Sequence, residues 1–297
     1  MRNILSGIIK HILGILPPTL PPKIYNFLIK IPVFKYVLNK LIKNITPDFI
    51  DISEGKIYFN KADPVMTAWT TMGSFEPGTV KFFREAIREG MNIIDIGANI
   101  GYYTVIASKR VGQSGKVFSY EPDPENFRFL EDNIKKNNLE NTIPLMTALS
   151  DTISERKLYL GNNKCTTHAF TDNSGTGKSE LVNTDTLDHS LIQYGSPIID
   201  IIKIDIEGAE ILALEGMKET INRSPNLIMF TELYPKAMRR LNRNPVEYLE
   251  RLQRFGFTLF LIDENKQNLD TINDINKFIL TFRDDESVEN IYAVKKH

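Results

Sequence analysis

The chain has 297 residues, 42% of them hydrophobic and 25% charged, which is the balance of an ordinary globular protein and excludes a disordered or fibrous chain. Its single cysteine, Cys165, excludes a disulfide scaffold and a cysteine-ligated zinc site, and fits a reducing compartment such as the cytoplasm. The formal net charge of −1 hides an asymmetry: Arg2, Lys10, Lys23, Lys30, Lys35, Lys40 and Lys43 face no acidic residue before position 48, leaving 29 basic against 37 acidic residues in the remainder. An acidic body argues against nucleic-acid binding, because a phosphate backbone requires a basic stripe.

The basic segment is amphipathic. Ile4, Leu5, Ile8, Ile9, Ile12, Leu13 and Leu16 form one helical stripe that ends at Pro17-Pro18, and Val33, Phe34, Val37, Leu38, Leu41, Ile42 and Ile45 form a second. Lys10 and His11 interrupt a stretch already too short to span a bilayer. Two readings of this 1–47 extension remain open: two helices packed on the body, or a basic face lying peripherally on an anionic membrane.

In the body, residues 48–89 form a mixed preface with a helix near Thr79–Glu89. From about residue 90, short apolar runs alternate with helical patterns, the signature of a parallel sheet. The expected strands are Asn92–Ile96, Lys116–Tyr120, Ile143–Ala148, Ile198–Asp205 and Asn226–Glu232. The expected helices are Ile100–Arg110, Pro124–Asn137, Ala209–Glu219 and Asn244–Phe255. Thr258–Ile262 and Asn290–Val294 can close the sheet as an antiparallel pair. Residues 161–180, rich in Gly, Asn, Ser and Thr, read as a long mobile loop of the kind that often serves a functional role.

The strongest motif is Asp95-Ile96-Gly97-Ala98-Asn99-Ile100-Gly101, which ends a strand and opens a helix. Gly97 permits a sharp turn and close ligand approach, Gly101 permits close helix packing, and Asp95 sits at the carboxyl strand end where open α/β sheets bind ligands. Glu121 ends the next strand, where a carboxylate can accept hydrogen bonds from a ribose diol. A dinucleotide usually needs Gly-x-Gly-x-x-Gly for its pyrophosphate. Here Asn99 takes the middle glycine's place, and a polar loop with an acid suits the charged amino-acid end of S-adenosylmethionine.

DIGANIGYYT, YEPDPENF, the ALSD segment at Ala148–Asp151, TLD at Thr186–Asp188, IIKIDIEGAE and FTEL, in that order across roughly residues 90–235, resemble the FkbM family of S-adenosylmethionine-dependent methyltransferases. The resemblance implies an α/β class I Rossmann-like methyltransferase fold, with a mostly parallel central sheet, helices on both faces and an antiparallel last strand, over residues 48–297. It also implies methyl transfer to a hydroxyl oxygen. By the same resemblance Asp95, Gly97, Asn99 and Gly101 line the methionine half of the cofactor, Glu121 holds the ribose, and Asp151 or its backbone neighbours meet the adenine. For Asp151 a turn-capping role stands equally open.

Lys203-Ile204-Asp205-Ile206-Glu207-Gly208-Ala209-Glu210 ends the fourth strand. Alternation places Lys203, Asp205 and Glu207 on one side, where three charges at the end of a buried strand need partners or a task. Glu232 ends the next strand at the same sheet edge and can face Asp205 or pair with Lys203. An alcohol acceptor must lose a proton, so Asp205, Glu207 and Glu232 are candidate general bases, with Lys203 orienting the acceptor oxygen or tuning a carboxylate. Glu210 reads as a structural first-turn residue. His168 reads as a base in the loop or as a plain surface histidine. No metal is expected, although Asp95, Asp205 and Glu207 offer hard oxygen ligands. Asp172–Ser179 imitates a phosphate loop but begins with Asp172 where glycine is required.

The expected protein is therefore an O-methyltransferase with a hydroxyl-bearing acceptor, a sugar, glycan or lipid-linked glycan. A non-catalytic cofactor-binding or membrane-recruited scaffold and an NAD-dependent oxidoreductase are the alternatives.

Overall fold

A computed structural model describes residues 48–59, 76–161, 168–172, 175, 177–282 and 287–295. The extension expected over 1–47 and most of the segment 162–176 lie outside the described residues. In chain order the strands are β1 (Phe49–Ile52), β2 (Gly55–Tyr58), β3 (Asn92–Ile96), β4 (Lys116–Tyr120), β5 (Thr142–Leu145), β6 (Ala148–Leu149), β7 (Ser154–Tyr159), β8 (Ser179–Asp185), β9 (Ile201–Ile204), β10 (Ile228–Leu233), β11 (Phe257–Asp263), β12 (Asn268–Thr271) and β13 (Glu289–Lys295). The main sheet has the order β12-β11-β13-β10-β9-β3-β4-β5. Strands β10, β9, β3, β4 and β5 are parallel neighbours. β13 is antiparallel to both β10 and β11, so it is inserted between two strands that run the same way.

Parallel strands are covered on both faces, and their alternating residues feed two cores. Ile94, Ile96, Phe118, Tyr120, Ile202, Ile204 and Met229 face the larger cluster, which includes Leu212, Ile221, Tyr248 and Leu252 from helices Glu210–Glu215, Lys218–Arg223 and Pro245–Arg254. Ile93, Val117, Ile201 and Phe230 face the smaller one, which includes Val80 and Phe83 of helix Pro77–Ala86 and Tyr103, Ile106 and Ala107 of helix Tyr102–Val111. Helix Pro124–Lys136 is capped by Asp123, whose carboxylate accepts from the Asn126 N–H at 2.8 Å. The side chains of its Asn133 and of the C-cap residue Asn137 pair with the backbone of β2, through the Tyr58 N–H at 2.7 Å and the Lys56 N–H at 2.8 Å. Two side-chain amides thus do for that edge what a neighbouring strand would do.

Two expected elements differ. The strand expected over Ile143–Ala148 stops at Leu145, and Ala148–Leu149 pairs instead with β8 in a separate three-stranded sheet, β6-β8-β7. The segment expected as a loop over 161–180 falls between β7, which ends at Tyr159, and β8, which begins at Ser179, and within it Ala169 bridges to Tyr159. The helix expected over Ala209–Glu219 is two helices, with Gly216 and Met217 between them. A Cβ on Gly216 would lie 2.0 Å from the Ser150 carbonyl oxygen, and the Gly216 carbonyl accepts from the Asp188 N–H at 3.0 Å. The break seats the helix pair against the chain leaving β6. Gly216→Ala is therefore expected to lower stability by about 1–3 kcal/mol, because backbone must move to admit the methyl. Urea denaturation of the two proteins measures this.

Candidate active site

The carboxyl ends of β3, β4, β9 and β10 surround a cavity of about 550 Å³, large enough for a nucleoside-sized ligand. Its walls are set by register. Asp95 of β3 lies beside Lys203 of β9, which lies beside Phe230 of β10. With a period of two, Asp205 and Glu232 then project from the same face one step further on. The strand proper ends at Ile204, and Glu207 belongs to the following turn, with a left-handed φ of 54°. It nevertheless lines the same cavity as Lys203, Asp205 and Glu232.

The turn after β3 explains its glycine. Gly97 has φ 78°, and a Cβ there would lie 1.9 Å from the Asp205 carbonyl oxygen. The Gly97 and Ala98 N–H groups both donate to the Tyr120 carbonyl at 2.9 Å, tying the turn to the end of β4. Asn99 holds φ 50°, a conformation asparagine tolerates better than most residues. Its N–H donates to Glu121 Oε2 at 2.8 Å, while the Asp123 N–H donates to Oε1 at 2.9 Å. Glu121 is thus fixed by one backbone donor on each oxygen, which leaves further lone pairs on each. Burial pushes its pKa up to about 7 against those two hydrogen bonds.

Asp95 is 2% exposed, accepts from Thr104 Oγ1 at 2.6 Å, and is raised by burial to about 6. Lys203 is 1% exposed, its ammonium lies 3.4 Å from Asp205 Oδ2, and it stands 5.0 Å from the centre of the Tyr103 ring. Burial alone would lower the lysine pKa, but Asp205, Glu76, Glu232 and Asp95 outweigh it and hold the group above its ordinary value. The carboxylates experience the converse. Burial raises Glu207 to about 8, helped by the charges of Asp205 and Glu210, and raises Glu76 and Glu232 as well. Carboxylate oxygens of Glu76, Asp205 and Glu232 all lie within 4.8 Å of one another. Glu210 is fully buried outside the cavity lining and accepts from the Ile206 and Gly208 N–H groups, each at 3.2 Å, so it pins the turn carrying Glu207.

Two expected contacts are corrected. Asp151 does not line the cavity: its carboxylate accepts from Arg156 at 2.7 Å and from Ser150 Oγ at 3.0 Å at the entrance to the small sheet. Gly101 does not line it either. With φ 91°, its missing side chain makes room for Leu130, whose Cδ1 would stand 2.8 Å from a Cβ. His168 is not a surface residue, since its side chain is 8% exposed, lines the cavity, and has Nδ1 3.4 Å from Asp123 Oδ2. Leu149 and Leu158 of the small sheet close this side, with Phe170 from the segment between β7 and β8. The sequence reading missed Glu76, Tyr103, Glu264 and Asn290. Tyr103 donates its hydroxyl hydrogen to Glu76 Oε2, and Asn290 Nδ2 donates to Glu76 Oε1 at 3.0 Å and Glu264 Oε1 at 3.1 Å. Only the sheet order, which inserts β13 beside β10, places Asn290 there.

Residues 95–259 match the Methyltransferase FkbM domain, more than half of the chain, and the chain belongs to that family. It is an S-adenosylmethionine-dependent methyltransferase with the class I Rossmann-like fold. Among solved structures, the chain is similar to Methyltransferase FkbM from Methylobacillus flagellatus KT, at 11% identity over 88% of this chain and 60% of that one, with a TM-score of 0.42. It is also similar to a SAM-dependent O-methyltransferase from Thermotoga maritima (16%, 84% and 77%, 0.41) and to an O-methyltransferase from Bacillus cereus in complex with SAH (16%, 74% and 80%, 0.40). No curated protein sequence matches the chain. Among the described residues, no helix is long and apolar enough to cross a membrane.

Removing the buried cation should expose the electrostatic balance. Lys203→Met leaves four carboxylates without it, and a loss of about 3–5 kcal/mol is expected at pH 8, where those carboxylates are most ionised. A buried acid whose folded pKa exceeds its unfolded one costs stability as pH rises from the unfolded value through the folded one, from 3.8 to about 6 for Asp95. The deficit of the variant should therefore shrink toward pH 5, as followed by thermal unfolding across that range.

Proposed function

We propose that the protein transfers a methyl group from S-adenosylmethionine to a hydroxyl oxygen of a sugar, glycan or lipid-linked glycan. The observation that carries this reading is the ring of carboxylates at the strand ends around the glycine turn. The residues fit the cofactor: the Gly97 turn is narrow and bare, Glu121 presents lone pairs suited to a ribose diol, and the acids Asp95, Asp205 and Glu207 suit a cationic ligand. When bound, S-adenosylmethionine supplies an electrophilic methyl on a sulfonium whose departure needs no acid.

The chain's own residues then have three tasks. Glu121 and the Gly97–Asn99 turn fix the adenosine end, so that the acceptor meets the methyl in line. Asp205, Glu207 or Glu232 accepts the hydroxyl proton. Glu207, raised to about 8, is largely protonated at neutral pH and becomes a competent base once positive charge enters the cavity. Lys203 orients the acceptor oxygen and steadies the carboxylates.

Glu121→Ala should weaken binding of S-adenosylhomocysteine, the demethylated product, by roughly ten- to hundredfold, the value of a charge-assisted hydrogen bond pair. NAD should give no heat in the same calorimetric titration. Asp205→Asn and Glu232→Gln should reduce methyl transfer from labelled cofactor to cellular glycan and lipid extracts far more than they reduce cofactor affinity. Full transfer by both variants would remove them from the chemistry. The basic, amphipathic residues 1–47 support a peripheral position at an anionic membrane, where a lipid-carried acceptor would be presented. Sedimentation with phosphatidylserine vesicles should fall when residues 1–22 are deleted; equal sedimentation of both proteins argues for packing on the body instead.

A further inference from the structure

One end of the cavity offers hydrogen-bond acceptors in excess of donors. Glu232 and Asn290 are direct cross-strand partners in β10 and β13, so their side chains project from the same face of the sheet. Asn290 is 7% exposed and lines the cavity. Its orientation is dictated by charge: Nδ2 donates to both Glu76 and Glu264, and a flipped amide would set its oxygen against two carboxylates. Oδ1 is therefore held buried with no hydrogen-bond partner among the described residues, and Glu232 Oε2 is in the same condition. An orphaned buried acceptor costs about 1–3 kcal/mol, so both atoms are poised for a ligand that brings donors. The neighbouring charges are Glu76 and Asp205, with oxygens within 4.8 Å of Glu232, and Lys203, whose ammonium is engaged with Asp205. Glu264 lies behind Asn290, fixed by the Gly78 N–H at 2.6 Å and by Thr79 Oγ1. One cation does not balance these acids.

Resting on the methyltransferase reading above, we propose that Glu76, Glu232 and Asn290 form an acceptor subsite that selects a protonated amine, so that the methylated hydroxyl belongs to an amino sugar or amino alcohol. A primary ammonium carries three donors and one positive charge, which answers Asn290 Oδ1, Glu232 Oε2 and a Glu76 oxygen together. A neutral hydroxyl brings one donor and no charge. The subsite draws on residues on both sides of the family-matched span, since Glu76, Glu264 and Asn290 all fall outside residues 95–259. Of Glu76, Glu232 and Asn290, Glu232 alone lies within that span, so the acceptor end of the cavity is completed by chain from outside it.

The test is calorimetric titration of the full chain, saturated with S-adenosylhomocysteine at pH 7, using D-glucosamine, D-glucose and magnesium chloride in separate runs. Glucosamine should bind at least tenfold more tightly than glucose. Glu76→Gln, which keeps shape and an acceptor oxygen but removes the charge, should weaken glucosamine binding about tenfold. It should leave S-adenosylhomocysteine affinity within about twofold, which also reports that the variant is folded. Equal binding of the two sugars, no saturable binding of glucosamine, or an equal loss of product affinity in the variant would each overturn the amine subsite while leaving methyl transfer intact. Saturable magnesium binding that Glu76→Gln abolishes would overturn it in favour of a cation site. Failure of the wild-type chain to bind S-adenosylhomocysteine would overturn both readings.

Discussion

The ammonium of Lys203, buried at the carboxyl end of a parallel strand, is the constraint on which the site depends. An unpaired charge in that position would cost several kcal/mol, a large share of what a whole fold is worth. It is tolerated because Asp205, Asp95, Glu76 and Glu232 surround it, and they in turn tolerate their own burial because it is there. Neither partner can be removed alone without leaving the other stranded. The acids that are raised out of their usual range hold protons that an incoming cation can displace, so the pocket is matched to a positively charged ligand before one arrives.

The backbone around this cluster is as restricted as its charges. β3 and β9 converge until the Asp205 carbonyl occupies the place of a Gly97 side chain, and Glu210 ties down the turn that follows. The same close approach that brings Asp95 beside Lys203 makes the Gly97 turn bare enough for a ligand to reach the main chain. On the far side, Asn99 and Asp123 lend their N–H groups to Glu121, so the second strand end is held by backbone geometry and not by a mobile side chain. Rigid presentation of this kind is what in-line transfer between two bound reactants requires.

The antiparallel strand β13 gives the cavity its other wall. Inserted beside β10, it brings Asn290 opposite Glu232 and, with helix Pro77–Ala86 and the turn at Glu264, completes a polar end built from residues far apart in the chain. The family-matched residues supply the Gly97 turn, Lys203, Asp205 and Glu232. The segments before and after them supply Glu76, Glu264 and Asn290.

The central strands, the helices after β3 and β4, and the antiparallel closing pair were legible in sequence, because apolar periodicity and turn residues act locally. So were the Gly97 turn, Glu121 and the Lys203–Glu207 run, because charge at the end of an apolar strand is conspicuous in one dimension. The two-helix break at Gly216, the small β6-β8-β7 sheet and the true place of Asp151 were not, since each is decided by what packs against it: the Ser150 carbonyl, a partner strand, Arg156. Glu76 and Asn290 look like ordinary polar residues near a helix start and in a strand. Only the order of strands in the sheet, which no local pattern encodes, aims them into the cavity, because a side chain's role is fixed by the charges facing it across space and not by its neighbours in the chain.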